Sequence, residues 1–395
     1  MRLLPRPLAF AAIAVLVACG TAAAPEQLKP GVDDVTSADG GAPACEIAGI
    51  HRQICRRRGA DYGDTPEALP FYACFEGATC AATDGNSCGW TMTPARIECL
   101  QKSELPPGRI PHADLHVHWD HPEKSLPGIH SPYESLAYID ATGVTSAMLI
   151  TNTYQAHKTP AMTTDEVIAI NRRYSEILVQ HPRGAGYRIL CGVSFQRDDA
   201  VETASRCLAL PKVVGFKLRG FTVRRPEDLA KLEALVAVAN DRGAIVLAHL
   251  GSFDEPAPAE DALAETKKIV TLMDRAPKAK LLIAHAGFGS FLGRAEYAAI
   301  GEHYRADPAA VRNIYLETSD SFADYEDGQP RPDAEAWLTS WRAFGIDRVV
   351  FGSDYSFKDR WRDDPLTYLA TSKVLAPAEA EAILRRTGEA LTGSP

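Results

Sequence analysis

The chain has 395 residues, of which 46% are hydrophobic and 24% are charged, and its formal net charge is -9. This composition is that of an ordinary globular protein, and the length suits one large domain with an appendage. The excess of negative charge argues against a nucleic-acid-binding role that depends on neutralising phosphates.

The first residues are typical of an export signal. Arg2 and Arg6 form a positively charged start, and the apolar run that follows over 8–17 is too short to span a bilayer. The run ends in L-V-A-C at 16–19, which resembles the lipobox of bacterial lipoproteins. We therefore predict a signal peptide over 1–18, a lipid on Cys19, and an exported protein whose membrane contact is through that lipid only. An ordinary signal peptide, cut at a nearby small residue, is the alternative.

The next two segments differ sharply in composition. Residues 19–44 are rich in Ala, Gly, Pro, Asp and Thr, which predicts a flexible linker. Residues 45–104 hold six cysteines without any C-x-x-C spacing, which favours a small disulfide-stapled module over a zinc finger. These cysteines are Cys45, Cys55, Cys74, Cys80, Cys88 and Cys99. Further along the chain, Cys191 and Cys207 either pair with each other or remain buried thiols. The even number of cysteines beyond Cys19 is expected in an oxidising compartment.

From residue 109 the pattern changes to buried apolar runs that alternate with segments of helical spacing. The runs that we predict as strands are 110–117, 144–150, 186–194, 213–219, 244–249, 280–285, 313–317 and 348–352. The plainest helical segments are 163–180, 226–241, 260–274, 333–343 and 377–386. Eight such units over 109–392 predict an α/β fold, the (β/α)8 TIM barrel. A doubly wound open sheet is the alternative, although no glycine-rich nucleotide loop follows the first strand.

Histidines and an aspartate stand at the ends of several predicted strands. His116 and His118 are two positions apart on the first strand, so their side chains point to the same side. His249, His285 and Asp354 end or follow the fifth, sixth and eighth strands. In a TIM barrel the strand ends form the active site, and imidazole and carboxylate are the ligands of a catalytic zinc or a similar ion. The sequence therefore predicts a metal centre at this end of the barrel.

The motifs around these residues resemble those of the amidohydrolase superfamily, and within it the amidohydrolase-related (amidohydrolase 2) branch. That branch includes relatives of aminocarboxymuconate-semialdehyde decarboxylase and of pyrone-dicarboxylate lactonase. The matching segments are D-L-H-V-H at 114–118, G-F-K-L-R at 215–219, L-A-H-L-G at 247–251, A-H-A-G-F-G at 284–289 and F-G-S-D-Y-S-F at 351–357. The resemblance implies that His116, His118, His249 and Asp354 bind one divalent ion, with zinc as the expected metal. It also implies that His285 lies close to the reacting water or the substrate.

Roles for the neighbouring residues follow from this expected site. A bound divalent ion lowers the pKa of water from about 15.7 to about 7. Asp354 can accept the proton of that water, and His285 can polarise the scissile carbonyl. Asp114 either holds an imidazole in its tautomer or is simply a strand-end carboxylate.

Lys217 decides how many metal ions we expect. In some superfamily members a carboxylated lysine at this position bridges two metals, and a second ion would then be held by His249 and His285. In the branch that this chain resembles, an unmodified lysine is more usual. We therefore expect Lys217, together with Arg219 two residues later, to face an acidic or carbonyl substrate; a salt bridge at the surface is the alternative.

The leading functional prediction is hydrolysis of a C–N or C–O bond (amide, ester or lactone) in a small molecule. Two alternatives remain open at this point. The first is non-oxidative decarboxylation with the same ligands, and the second is a non-catalytic, metal-binding surface lipoprotein. No nucleic-acid partner is expected, and neither the substrate nor the oligomeric state can be inferred from the sequence.

Overall fold

The computed structural model describes most of the chain beyond the predicted linker. The described residues are 44–59, 69–82, 88–103, 109–119, 132–153, 162–221, 223, 225–250, 259–287, 293–319, 334–354 and 360–393. The predicted signal peptide, Cys19 and almost all of the predicted linker lie outside these residues. None of the helices in the described ranges is both long enough and apolar enough to cross a membrane.

Eight parallel strands form one sheet in which each strand pairs with the next one along the chain. They are β5 (His112–Trp119), β6 (Val144–Thr151), β7 (Tyr187–Val193), β8 (Val213–Phe221), β9 (Ile245–Leu250), β10 (Lys280–Ile283), β11 (Ile314–Glu317) and β12 (Val349–Val350). The N–H of Leu115 in β5 donates to the carbonyl of Phe351, just after β12, at 3.0 Å. This bond brings the last strand back to the first, and the sequential order excludes the doubly wound alternative. The predicted TIM barrel is confirmed.

Helices connect successive strands and cover the outside of the barrel. They are α2 (Pro132–Asp140), α3 (Thr164–Gln180), α4 (Ala200–Cys207), α5 (Pro226–Arg242), α6 (Ala259–Asp274), α7 (Arg294–Ala306), α8 (Ala334–Phe344), α9 (Arg360–Thr371), α10 (Pro377–Glu381) and α11 (Thr387–Thr392). Local sequence signals fix several helix ends. A capping box between Thr163 and Glu166 starts α3, and Gly243 ends α5 in the left-handed conformation (φ 63°) that glycine adopts without strain.

The apolar side chains form two cores. The smaller core fills the interior of the barrel, whereas the larger one lies between the strands and the helices. The smaller core consists of Leu115, Met148, Ile150, Leu190, Ile245, Leu247, Leu282, Ala284, Val350 and Leu391. Because apolar side chains fill the barrel, the polar residues at the strand ends lie over a packed floor rather than in an open pore.

In its described residues, the cysteine-rich segment before the barrel contains two antiparallel strand pairs, a 3-10 helix over Pro70–Phe75 and one α-helix. One pair joins β1 (Cys45–Ala48) to β2 (Ile54–Arg57), the other joins β3 (Cys80–Ala82) to β4 (Cys88–Trp90), and the α-helix is α1 (Pro94–Lys102). Three disulfides join Cys45 to Cys88, Cys55 to Cys80 and Cys74 to Cys99. The predicted disulfide staples are therefore present.

This segment packs against the barrel rather than standing apart from it. Helix α1 contacts α2, and the ring of Phe71 meets that of Tyr138 in α2 edge to face, with 5.7 Å between centroids. Both rings are buried. A fourth disulfide lies within the barrel and joins Cys191 in β7 to Cys207 in α4. Of the two states that the sequence left open for this pair, the structure has the bonded one.

Gly215 allows two barrel strands to approach each other. A Cβ at this position would overlap the carbonyl oxygen of Ile245 in the neighbouring strand β9. A backbone atom inside a closed sheet cannot rotate away, so we expect Gly215→Ala to cost about 3 kcal/mol or more of unfolding free energy. Urea unfolding with the disulfides intact measures this cost. In the control Gly293→Ala, the new Cβ would meet only the carboxylate end of Glu296 at 3.1 Å. Equal unfolding midpoints for the two variants would contradict the prediction.

Candidate metal centre

Two histidines of β5 and an aspartate that follows β12 converge at the carboxyl-terminal end of the barrel. Oδ1 of Asp354 lies 2.9 Å from Nε2 of His116 and 2.9 Å from Nε2 of His118. The side chain of His116 is fully buried, whereas a quarter of the Asp354 side chain is exposed. The pair of histidines on β5 therefore shares one carboxylate oxygen, and that carboxylate remains accessible to a small molecule.

A β-bulge in β5 changes the direction in which the side chain of His116 points. Between Asp114 and Val117 the strand advances three residues, while its partner β6 advances only two, from Ala147 to Leu149. Such a bulge breaks the regular alternation of side chains and re-aims one of them, which is common next to active sites. The rings of His116 and His118 consequently lie side by side, with 5.2 Å between their centroids.

The two later histidines lie against this cluster. The ring of His285 is 5.1 Å from that of His116, and the ring of His249 is 4.5 Å from that of His285. Among the described residues, His116, His285 and Asp354 form a group in which one ligand atom from each lies within 4.8 Å of the others. The resemblance implied His249 as a metal ligand and His285 as its neighbour. The described geometry also brings His285 into the group of donors, with His249 next to it, and the role of His249 as a ligand stays a prediction.

The backbone is strained where it presents two of these residues. His285 has a φ of 63° and Asp354 a φ of 50°, in the left-handed region that side chains with a Cβ rarely adopt. The predicted sixth strand extends to 285, but β10 ends at Ile283, and a short 3-10 helix over Ala284–Gly287 carries His285. Each residue of this kind costs on the order of 1–3 kcal/mol, and such strain concentrates at functional sites.

Glu317, Ser319 and Asn152 are site residues that the sequence analysis missed. Oε2 of Glu317 lies 2.6 Å from Nδ1 of His116, and Oδ1 of Asn152 lies 2.7 Å from Nδ1 of His118. The hydroxyl of Ser319 lies 2.9 Å from Nδ1 of His285. The signal was present in the sequence, because Glu317 ends the seventh barrel strand and Asn152 follows the second.

Asp114 has a role that the sequence analysis did not consider. It accepts hydrogen bonds from the N–H of Ser353 at 3.0 Å and from its hydroxyl at 2.6 Å. It also accepts one from the backbone N–H of His116 at 3.2 Å. Asp114 therefore joins β5 to the segment that carries Asp354. The carboxylate that contacts Nδ1 of His116 is that of Glu317.

Lys217 lies inside the cluster rather than at its rim. Its side chain is only 1% exposed, and its Nζ is 3.1 Å from Nε2 of His116. Arg219 lies two residues later on β8, opposite His249 on β9, and is half-buried. Two basic side chains therefore lie in the second half of β8. Their predicted contact with a substrate stays a prediction.

The charges around His116 favour a cation at this point. Burial and the charge of Lys217 lower the pKa of His116, but Asp354 and Glu317 outweigh them and raise it to about 9. Burial alone would raise the pKa of Asp354, but the charge of His116 and hydrogen bonds from His116 and His118 hold it well below its ordinary value. Asp354 is therefore ionised. A site that stabilises an imidazolium between two carboxylates is also suited to a metal cation.

The remaining imidazoles are held neutral. Burial, followed by the charge of Lys217, lowers the pKa of His249 to about 3. Burial likewise lowers the pKa of His285 well below 6.5, against the opposing charge of Asp354. The neutral imidazole is the form that binds a metal ion. Nitrogen and oxygen donors of this kind fit zinc and other divalent transition metals.

The low pKa of His249 predicts a loss of stability in acid. The pKa of His249 is about 3 in the folded chain, against an ordinary value of 6.5. Between pH 3 and pH 6.5 the unfolded chain therefore binds a proton at His249 that the folded chain does not bind. The contribution of His249 to stability is therefore complete above pH 6.5 and is lost as the pH falls towards 3. In chelator-treated protein, we expect His249→Asn to reduce the slope of unfolding free energy against pH by up to about 1.4 kcal/mol per unit. Urea unfolding at pH 4, 5 and 6 measures the slope, and His303→Asn at the surface is the control. Equal slopes in all three proteins would contradict the prediction.

The barrel region of this chain is similar to known proteins. A family model described as amidohydrolase (amidohydrolase 2) matches residues 113–391, which is well over half of the chain. No curated protein sequence matches the chain significantly.

Three solved structures share the fold at low sequence identity. A complex of 2,6-dihydroxybenzoate decarboxylase with 2,6-dihydroxybenzoate is 17% identical, with a TM-score of 0.50, and the match covers 72% of this chain and 99% of that one. A structure described as amidohydrolase II is 16% identical, with a TM-score of 0.51 and coverages of 71% and 99%. A protein from Staphylococcus aureus, provisionally assigned as an amidohydrolase, is 15% identical, with a TM-score of 0.51 and coverages of 72% and 100%.

The family model spans the barrel from β5 to α11 and so includes every residue of the cluster. At identities this low, the solved structures establish the fold and nothing more. The match to the family model shows that this chain belongs to the amidohydrolase 2 family, whose members are metal-dependent enzymes that act on small molecules.

Proposed function

We propose that this protein is a metal-dependent hydrolase that cleaves a C–N or C–O bond in a small molecule. The observation that supports it best is the convergence of His116, His285 and Asp354, whose donors lie within 4.8 Å of one another. His118 adds a further nitrogen at 2.9 Å from the same carboxylate. In this proposal His116, His118, His249 and Asp354 would hold one divalent ion, with zinc as the expected metal and His285 beside it. When bound, such an ion supplies the Lewis acidity that makes water a nucleophile at neutral pH.

Asp354 is the residue that handles the proton in this proposal. Its carboxylate is ionised and a quarter of its side chain is exposed, so it can accept a proton at Oδ2 or Oδ1 from an attacking water. The same carboxyl group can then pass the proton to the leaving oxygen or nitrogen. The packed apolar floor beneath the cluster excludes bulk water from the opposite side. Hydrolysis therefore needs no base other than Asp354.

Lys217 and Arg219 suggest the kind of substrate. Both side chains are basic and both belong to β8. Lys217 contacts His116, and Arg219 lies opposite His249 on the neighbouring strand. A substrate with a carboxylate or a polarised carbonyl would be attracted to these two side chains. We therefore propose an acidic ester, lactone or amide as the substrate class.

Non-oxidative decarboxylation is the second candidate function. One solved structure of the same fold is a 2,6-dihydroxybenzoate decarboxylase in complex with 2,6-dihydroxybenzoate, which carries a carboxylate. A carboxylate held by Lys217 would suit that reaction as well as hydrolysis. The two functions differ in product, because decarboxylation releases carbon dioxide whereas hydrolysis releases an acid together with an amine or alcohol.

One assay distinguishes these functions. Metal-replete protein is incubated with a panel of acidic esters, lactones and amides and with aromatic carboxylates, and released acid, amine and carbon dioxide are measured. Turnover of the first group supports hydrolysis, whereas carbon dioxide from the second supports decarboxylation. If every compound remains intact, a non-catalytic metal-binding role replaces both.

The metal content tests the number of ions. We expect one equivalent per chain in the wild type, measured by elemental analysis after removal of loosely bound metal. Two equivalents, falling to one or none in Lys217→Ala, would replace this proposal with a two-metal site bridged by a carboxylated Lys217. Metal content can be measured in both proteins without a known substrate.

We also propose that the protein works outside the cytoplasm, attached to a bacterial membrane by a lipid on Cys19. Four disulfides among the described residues support an oxidising compartment. Fractionation of cells that express the full chain tests this proposal. Recovery in the cytoplasmic fraction, with reduced cysteines, would contradict it.

A further inference from the structure

The disulfide between Cys74 and Cys99 is more accessible than the other three among the described residues. Cys99 is exposed on α1, and Cys74 is half-buried in the 3-10 helix over Pro70–Phe75. Each of the other bonds includes at least one cysteine that is 2% exposed or less, namely Cys88, Cys55, Cys191 and Cys207. A disulfide is exchanged when a thiolate reaches one of its sulfurs, so access decides which bond reacts first.

This bond joins the two elements of the cysteine-rich segment that contact helix α2 of the barrel. The 3-10 helix carries Phe71, whose ring lies 5.7 Å from that of Tyr138 in α2. Helix α1, which carries Cys99, also contacts α2. In addition, Nε of Arg96 in α1 donates a hydrogen bond to the carbonyl of Cys74 at 3.1 Å. The disulfide therefore holds α1 and the 3-10 helix together where both pack against α2.

Helix α2 is in turn connected to the strand that carries the histidine pair. Nε1 of Trp119, the last residue of β5, donates to the carbonyl of Pro132, the first residue of α2, at 3.3 Å. The Trp119 ring is fully buried and stacks on that of Tyr174 with 4.6 Å between centroids. Trp119 directly follows His118 in the sequence. A change in the packing of α2 can therefore reach the end of β5 at the candidate metal centre.

We propose that the Cys74–Cys99 bond is a site of thiol–disulfide exchange with dithiols, and that its reduction in the folded protein loosens α2 while the other three disulfides stay intact. One thiolate of the dithiol attacks Sγ of Cys99 and forms a mixed disulfide, while Sγ of Cys74 leaves with the bonding electrons and takes up a proton. The positive charge of Arg96 beside Cys74 favours this departure as a thiolate.

The second thiolate of the dithiol completes the exchange. It attacks the dithiol's own sulfur in the mixed disulfide, and Sγ of Cys99 leaves and takes up a proton in the same way. The protein disulfide gains two electrons and two protons, and the dithiol is oxidised to a disulfide. The class of co-reactant is thus a dithiol, either a small molecule or a protein with two neighbouring cysteines.

The first test maps which cysteines a dithiol reduces in the full-length, disulfide-bonded protein. Free thiols, including that of Cys19 where it carries no lipid, are first blocked with N-ethylmaleimide. The protein is then incubated with increasing dithiothreitol without denaturant, quenched with iodoacetamide, and analysed by peptide mass spectrometry. We expect Cys74 and Cys99 to be labelled together, at least about 10-fold faster than Cys191 and Cys207, because a buried sulfur reacts only after the structure opens.

The second test measures the effect on α2 by amide hydrogen exchange. At a dithiothreitol concentration that reduces only the Cys74–Cys99 bond, we expect the amides of α2 to exchange about 3-fold faster or more, and those of α5 to exchange at an unchanged rate. The matched control is the double variant Cys74→Ser/Cys99→Ser. Its α2 should exchange at the rate of the reduced wild type and should not respond to dithiothreitol.

Three outcomes would overturn the proposal. The first is labelling of Cys191 and Cys207 as fast as Cys74 and Cys99, and the second is faster exchange in α5 together with α2, since both mean that reduction follows general unfolding. The third is an α2 that exchanges within about 2-fold of the oxidised protein after selective reduction. If the double variant does not fold, the comparison of α2 with α5 in the wild type decides. Neither readout involves a metal ion or a substrate, so failure of the proposed function leaves this test unchanged.

Discussion

Asp354→Asn should lower kcat/KM by about 10²- to 10⁴-fold at saturating metal, the range typical of losing a general acid–base group. The amide has nearly the same shape as the carboxylate, so it preserves the packing around the strained backbone at φ 50°. It cannot accept a proton from water, and it removes the negative charge that His116 and His118 share at 2.9 Å. The measurement is turnover of whichever panel compound the wild type converts, together with metal content.

The matched control is Asp347→Asn, which makes the same chemical change on an exposed residue just before β12. It should leave both turnover and metal content unchanged. If Asp354→Asn retains more than about a tenth of wild-type activity with metal bound, Asp354 is not the base. The proton would then have to pass through another group of the cluster.

His116→Ala should abolish stable metal binding. Loss of a residue that merely orients a ligand weakens binding by about 10- to 100-fold, so loss of a ligand itself should exceed about 100-fold. The charges of Asp354 and Glu317 also act on His116 and raise its pKa to about 9. Without this imidazole, two carboxylates would lie close together with less positive charge between them. The measurement is the zinc Kd of chelator-stripped protein by competition titration.

His112→Ala is the control for this variant. His112 lies on the same strand, is equally buried, and has Nδ1 2.8 Å from the carbonyl of Ile110, with its ring edge-on to Phe351. Its loss should lower stability and leave the zinc Kd unchanged. Equal losses of zinc affinity in both variants would mean that the effect comes from damage to β5 rather than from the loss of a ligand.

The sequence was sufficient to predict the barrel, because each strand and helix carries its own local signal. Apolar runs of strand length alternate with amphipathic segments, and all eight predicted strands appear within a few residues of their predicted positions. The positions of the ligand candidates followed from the same pattern, since strand ends meet at one end of any parallel barrel. The sequence therefore predicts that His116, His118, His249, His285 and Asp354 lie close together.

Residues that act through another side chain were harder to find, because their role depends on contacts across long stretches of chain. Glu317 and His116 are 201 residues apart, and nothing local in L-E-T-S-D distinguishes a strand-end carboxylate at the surface from one against an imidazole. The disulfide pairing was likewise open, since the spacing of six cysteines does not determine which ones meet.

The sequence by itself determined the fold and the kinds of ligand at the site. Tertiary structure decided how they are used: the bulge that aims His116, the left-handed backbone at His285 and Asp354, the burial of Lys217 beside His116, and the carboxylate of Glu317 behind the ring. The physical reason is that strand periodicity is encoded locally, whereas the choice between two ring nitrogens depends on donors and acceptors supplied by other strands. The predicted pair of histidines on the first strand becomes part of a candidate metal centre only when the sixth, seventh and eighth strands close around it.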